Sequence, residues 1–190
     1  RYEASDRAIA LNDEFHGCVF QSRTVEACGI IAGRLAFAVT NLEDLVARAR
    51  HLIREDAARV RAVRAAVGPD VELFIDANCS LDLYHAQKLA EMIKPFGISF
   101  FEEPITQNDV LQMAQLRRTC GIPLACGQNE GLAFRFRDLL VNQAIDYAQP
   151  NVVITGGYTQ CVKIAGMAAA FNIPIANGGA WQYHNMHLQA

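Results

Sequence analysis

From Val71 onward the hydrophobic positions follow a fixed rhythm: a short apolar run, a polar ending, then an amphipathic stretch of helical length. VELFIDAN (Val71 to Asn78) predicts a strand, and SLDLYHAQKLAEMIKPFG after it sets Leu83, Ala86, Leu89, Ala90 and Ile93 on one helical face before a Pro-x-Gly stop. ISFFEEP predicts the next strand and DVLQMAQLRRTCG (Asp109 to Gly121) its helix. IPLACGQ, IDYAQP and IPIANGG predict three further strands, separated by the helices AFRFRDLLVNQ and YTQCVKIAGMAAAFN. Strands that alternate with helices in this way imply right-handed crossovers and a parallel sheet covered by helices, which leaves an open doubly wound sheet or a (β/α)8 barrel. The polar residues fall at the C-terminal end of strand after strand (Asp76, Glu102, Gln128, Gln149, Asn177) instead of gathering at one switch point, and this favours the barrel.

Upstream the rhythm breaks. LAFAV (Leu35 to Val39) suits a strand and TNLEDLVARARHLI a helix, but REDAARVRAVRAAVG, ending at Gly68, is itself an amphipathic helical pattern. Two helices are therefore expected to meet at Ile53-Arg54 with no strand between them, which a complete parallel barrel does not allow. The expected fold is thus an α/β TIM-type barrel, modified and incomplete in this chain: either a strand is lacking, or residues of the full protein are missing near Ile53-Arg54 and after Ala190, where the chain stops inside a helical pattern. Residues 1–34 carry no clear periodicity.

Composition narrows the class. A chain of 190 residues, 52% hydrophobic, can bury one substantial core and is short for two full domains. A formal charge of −3 with no block of like charges excludes a nucleic-acid backbone as the expected partner. No apolar run reaches the roughly 20 residues of a bilayer crossing, and RYEASDRAIALND lacks the charged-then-apolar order of a signal peptide, so neither membrane nor export is expected. Six cysteines (Cys18, Cys28, Cys79, Cys120, Cys126, Cys161) form no C-x-x-C pair and read as reduced, mostly buried thiols, which favours the cytoplasm.

Asp76, Glu102 and Gln128 recur at equal intervals of 26 positions, each at a predicted strand end. Equal spacing in a barrel means equivalent positions, so three oxygen-bearing side chains converge above it, as a hard divalent cation such as Mg2+ requires. Taken singly, each reads as well as a solvated or helix-capping residue of a loop.

In combination, FIDAN, FFEEP, P-L-A-C-G-Q-N and P-N-V-V-I-T-G-G resemble the barrel domain of the enolase superfamily, within the mandelate racemase and muconate lactonizing enzyme group, over roughly Thr40 to the end. The resemblance implies Mg2+ held by carboxylates at successive strand ends and removal of the proton alpha to a substrate carboxylate. Asp76 and Glu102 match the first two ligands, and Glu103 matches the second Glu of E-E-P. The chemistry is coherent, because that proton is weakly acidic and the resulting charge needs a metal and fixed donors beside it. The resemblance also divides the chain into residues 1–34, a possible remnant of an α+β capping domain, and residues 35–190, the barrel.

The chain departs from the family pattern in three places. Gln128, an uncharged amide, stands where the third ligand is normally Glu, and Glu130 two residues on either compensates as an active-site group or is a solvated loop carboxylate. The Lys-x-Lys pair of the second barrel strand is absent, since no lysine precedes Lys88, and the positions of the alternative His and Asp read Gly178 and Asn151. His184 and His187 follow the last predicted strand three apart, hence on one helical face. His184 is the candidate acid or base and His187 a candidate substrate contact, against the reading that both merely pack on the barrel. Trp181 either lines the substrate pocket or packs, and Asn78 either binds substrate or closes an Asx-type turn.

These residues imply a Mg2+-dependent lyase, a dehydratase of aldonic or aldaric acids, with His184 and Glu130 catalytic, Asp76, Glu102 and Gln128 on the metal, and Asn78, Trp181 and His187 toward substrate. A racemase or epimerase of the same superfamily is the alternative, as is a catalytically impaired homologue that binds a carboxylate. The expected partners are a small hydroxy-carboxylate and further copies of the chain in a homo-oligomer.

Overall fold

The computed structural model describes residues 42–179 and 182–189. Its first element, helix α1 (Leu42–Val67), is one continuous helix. This corrects the expected break at Ile53-Arg54. Neither residue is a helix breaker, and the buried positions Ile53, Ala57 and Val60 continue one face across the junction. Arg64, in its last turn, donates to the carbonyls of Phe96 (2.7 Å), Gly68 (2.8 Å) and Gly97 (2.9 Å), which fixes where the helix ends relative to the next layer. The possible strand Leu35 to Val39 and all of residues 1–34 lie outside the described residues.

Strand β1 (Leu73–Asp76) leads to α2 (Leu83–Ile93), β2 (Ile98–Glu102) to α3 (Val110–Cys120), and β3 (Leu124–Cys126) to α4 (Leu132–Val141). After β4 (Tyr147–Ala148) come the single turn α5 (Val152–Thr155), α6 (Tyr158–Ala170) and α7 (Gln182–Gln189). The ends follow local chemistry. Asp82 and Asp109 accept the first free N–H groups of α2 and α3 from His85 (2.8 Å) and Gln112 (2.9 Å), and Gly97 and Gly121 take the left-handed conformation after their helices.

All strand pairs are parallel and the spatial order is β1-β2-β3-β4, the same as the chain order. A doubly wound sheet reverses direction at a switch point; a barrel does not, and the order here is that of one arc of a (β/α)8 barrel. The expected fifth strand, IPIANGG, contributes one parallel bridge, Ala148 with Ile175, that continues the same progression. The predicted strands are longer than those observed because their polar ends already turn away: Asn78, Cys79 and Glu103 all have positive φ.

Alternation sorts the strand residues into two layers. Ile75, Phe101, Leu124 and Cys126 are fully buried under the helices, against Leu89, Ile93, Leu116, Phe136 and Ile164. Phe74, Phe100 and Tyr147 face the other way and follow one another along the sheet, with centroids 4.4 and 5.4 Å apart. Asp76 and Glu102 continue that inner face at the strand ends. Cys79, Cys120, Cys126 and Cys161 are free thiols, each pushed above the ordinary range chiefly by burial, so they are poor nucleophiles; Cys18 and Cys28 lie outside the described residues.

Gly127 closes the inner layer at the end of β3. Its φ of +125° excludes most side chains, and a Cβ there would stand 2.5 Å from Cε1 of buried Phe136. Gly127→Ala is expected to destabilise the chain by on the order of 2 to 4 kcal/mol, read as a lower urea midpoint. An unchanged midpoint would show that Phe136 yields freely.

Candidate functional site

Because the strands are parallel and in sequential order, their C-terminal ends share one rim, and residues leaving the apolar layer gather there. Asp76 and Glu102 are direct register partners across β1 and β2. Both are buried, at 0% and 4% exposure. Burial first, and then the charge of Asp76, push the Glu102 carboxyl up to about 9, while a hydrogen bond with the Gln149 side chain pulls the other way. Asp76 Oδ1 accepts the backbone N–H of Asn78 at 2.6 Å, so Asn78 closes a turn over the carboxylate.

Glu103 is buried next to this pair and is surrounded by donors. Asn108 Nδ2 donates to its Oε1 at 3.1 Å, while Gln128 Nε2 (3.1 Å) and Asn129 Nδ2 (2.6 Å) donate to its Oε2. The Cys79 thiol, protonated throughout the physiological range, also bonds to it. Asn108 Nδ2 reaches Glu130 Oε1 as well, at 3.1 Å, and Glu130 Oε2 accepts from Arg135 Nε at 2.7 Å. A chain of bonds thus runs Gln128, Glu103, Asn108, Glu130, Arg135. Glu130 is buried at 8% exposure and belongs to this network, which excludes the alternative of a solvated loop carboxylate.

Gln128, also buried, sits where Gly178 comes closest: a Cβ on Gly178 would stand 2.9 Å from Gln128 Cβ and 3.2 Å from Gln149 Cβ. A Cβ on Gly179 would run into Asn151 Nδ2. Gly178, Gly179 and Asn151 therefore meet at the rim beside Gln128. Asn151 itself caps α5, accepting Val153 N–H at 3.0 Å. Among the described residues, no three His, Cys, Asp or Glu side chains are grouped as a metal-binding set.

The C-terminal helix presents a different face from the one its histidines suggested. His184 and His187 are exposed on α7, and His184 Nδ1 lies 3.4 Å from the Tyr158 hydroxyl. Asn185 between them is the buried residue: it accepts Val152 N–H at 3.0 Å and donates to Gly178 O at 3.2 Å. Trp181 lies outside the described residues. The sequence pattern does not single out Asn108, Asn129, Arg135 or Asn185. Asn185 alone carries a signal, as the polar residue flanked by two histidines on the opposite helical face; the others are loop amides and a surface-like arginine, whose partners are remote in sequence or on another element.

Comparison with known proteins agrees with the barrel fold. Residues 33–190 match the family described as "Enolase C-terminal domain-like". The chain is similar to the arabinonate dehydratase of Saccharolobus solfataricus, 32% identical over 143 residues, covering 73% of this chain and 38% of that protein. It is also similar to the D-galactarolactone cycloisomerase of Agrobacterium fabrum, 33% identical over 65% of this chain and 32% of that protein. Among solved structures, the L-talarate dehydratase of Polaromonas sp. JS666, complexed with Mg and L-glucarate, superposes with a TM-score of 0.66 at 33% identity, covering 70% of this chain and 37% of that one. The chain therefore spans well under half the length of these relatives.

Proposed function

We infer, from the fact that the chain belongs to the enolase C-terminal domain-like family, that the protein is a Mg2+-dependent lyase that dehydrates an aldonic or aldaric acid. One observation of the structure carries the reading: the buried carboxyls of Asp76 and Glu102 stand side by side in register at the strand ends. Such a pair is stable only with a proton or a cation between its members, and the donor set (two carboxylates with the amide of Gln128) is all oxygen, the set a hard divalent ion takes. Asp76, Glu102 and Gln128 would hold Mg2+. Bound there, the ion supplies Lewis-acid stabilisation of the negative charge that develops on the substrate carboxylate.

The chain's own groups do the rest. A base removes the alpha proton, an acid protonates the departing beta hydroxyl, water leaves, and the resulting enol tautomerises to a 2-keto acid. Glu130, buried and ion-paired to Arg135, and His184, exposed beside Tyr158, are the groups we assign to proton transfer. Asn78, Trp181 and His187 are assigned to substrate. The same reading divides the chain at residue 34, with a capping-domain remnant before the barrel, and places the protein in the cytoplasm as a homo-oligomer. Among the described residues no helix is long and apolar enough to cross a membrane.

Incubation of the purified protein with Mg2+ and a panel of aldonic and aldaric acids is expected to give a 2-keto product. No turnover with any acid, together with no exchange of the alpha proton in D2O, overturns the proposal; exchange without dehydration assigns it to the isomerases. The amide at position 128 favours a second reading, a homologue that binds a carboxylate without turning it over. Ligand binding with no exchange of the alpha proton would select it.

A further inference from the structure

Arg54, His85 and Lys88 have no part in the proposed reaction, yet the fold brings them together. Helices α1 and α2 pack side by side and enclose a cavity of about 280 Å3, lined by Ile53 and Arg54 of α1 and by Tyr84, His85, Lys88 and Met92 of α2. The helical period explains the second group: Tyr84, Lys88 and Met92 recur every four residues and form one stripe along α2. Part of the lining is apolar. Ile53 is buried, while Tyr84 and Met92 remain 52% and 39% exposed, and the Tyr84 ring meets the His85 ring edge-on with centroids 5.3 Å apart. The rest is basic, with no Asp or Glu in the lining, although the chain as a whole carries a net charge of −3. His85 Nδ1 lies 2.8 Å from Asp82 Oδ2 and Lys88 Nζ lies 2.9 Å from Glu91 Oε2, both acids being residues of the same segment outside the lining. Pairs this exposed are weak, so Lys88 can take a second carboxylate. Arg54, on the facing helix, makes no ion pair with any described residue.

We propose that this cleft is a second binding site, for a small organic acid with one carboxylate and a compact apolar body, the carboxylate held by Arg54 and Lys88 and the body packed on Ile53, Tyr84 and Met92. Charge complementarity selects the carboxylate, and the apolar part of the lining selects the body. A polyhydroxylated acid would leave hydroxyl groups unpaired against that part, and a bare anion would leave it in water. The volume lies just under the roughly 300 Å3 at which pockets for drug-sized ligands begin, so the body is about the size of one ring. The site uses none of the residues assigned to the metal or to proton transfer. Helix α1 leads into β1 and α2 leads out of it, so a ligand held by both braces the strand that ends in Asp76.

Methyl-labelled methionine gives a local readout on the full chain, because of the four methionines one, Met92, lines the cleft and Met113, Met167 and Met186 do not. Benzoate is the probe. Its titration is expected to move the Met92 methyl resonance, assigned with Met92→Leu, along a saturable curve with a Kd of about 1 mM, while the other three stay still. Arg54→Ala and Lys88→Ala are each expected to weaken benzoate binding about fivefold, the size of one exposed ion pair, and Arg54→Lys to weaken it less. Both positions are exposed on helices, where alanine is well tolerated. Benzyl alcohol, which keeps the body without the charge, and acetate, which keeps the charge without the body, are each expected to bind at least about tenfold more weakly than benzoate. Benzoate should also raise the melting temperature of wild type more than that of Arg54→Ala.

A Met92 methyl that does not move at roughly 10 mM benzoate overturns the proposal, as does movement of all four methyl groups together, the mark of a general salt effect. An equal response to benzyl alcohol reduces the cleft to an apolar crevice and rejects the acid. An equal response to acetate or inorganic phosphate rejects the apolar body. Unchanged affinity in both Arg54→Ala and Lys88→Ala removes the cations from the site and the proposal with them. None of these outcomes bears on the metal-site reading, and failure of the dehydration assay leaves this site standing.

Discussion

Glu102→Gln is expected to lower turnover by on the order of a thousandfold while raising the melting temperature of the metal-free protein near neutral pH. The two effects have one cause. Glu102 stands in register with Asp76 inside a buried rim, and burial together with that neighbouring charge makes its ionised form unfavourable. An isosteric amide needs no proton taken up on folding and so stabilises the empty fold, but it also removes a group whose charge would hold the ion. Activity and stability are opposed at such a site, as expected where strain or like charge serves function. The measurement is a pair: steady-state turnover at saturating Mg2+ and substrate, and a thermal melt in EDTA. Equal loss of activity and stability would identify Glu102 as structural support; retained activity would remove it from the metal.

The second large effect is a pH dependence of stability that Mg2+ should cancel. In the unfolded chain the Glu102 carboxyl titrates near its ordinary value of 4.5, and in the fold near 9. Between those limits the unfolded state has released a proton that the folded state retains, so folding stability falls as pH rises from about 4.5 to about 9 and levels off beyond. Each pH unit in that window corresponds to at most about 1.4 kcal/mol. A bound divalent cation favours the ionised form and removes the penalty. Melts in EDTA from pH 5 to pH 9 should therefore show a declining midpoint, and melts in excess Mg2+ a flatter one, with the gap widest at alkaline pH. A gap independent of pH would mean that the ion, if it binds, binds elsewhere.

These expectations depend on contacts that the sequence indicates only in part. The equal spacing of Asp76, Glu102 and Gln128 is legible because a parallel barrel repeats its strand-helix unit, and equal steps along the chain become equivalent positions around the rim. Asp82 and Asp109 are legible as helix starts, and Gly97 and Gly121 as stops, because capping is decided within a few residues of chain. The break expected at Ile53-Arg54 does not occur. Its ground is that two successive amphipathic patterns read as two helices, yet nothing in the local residues ends a helix, and one helix forms.

The chain by itself determined the alternation of strands and helices, the buried face of each helix and the three corners of the rim, since each follows from side-chain periodicity and local backbone preference. Only the tertiary structure decided how those corners are held. Glu103 bonds Gln128 from another strand end, Asn108 joins Glu103 to Glu130 between loops, and α7 turns Asn185 inward while leaving His184 and His187 exposed. Hydrogen bonds between residues 20 or more positions apart, and the desolvation that lifts the Glu102 carboxyl, exist only once the strands have brought their ends together. No local pattern in the chain encodes them.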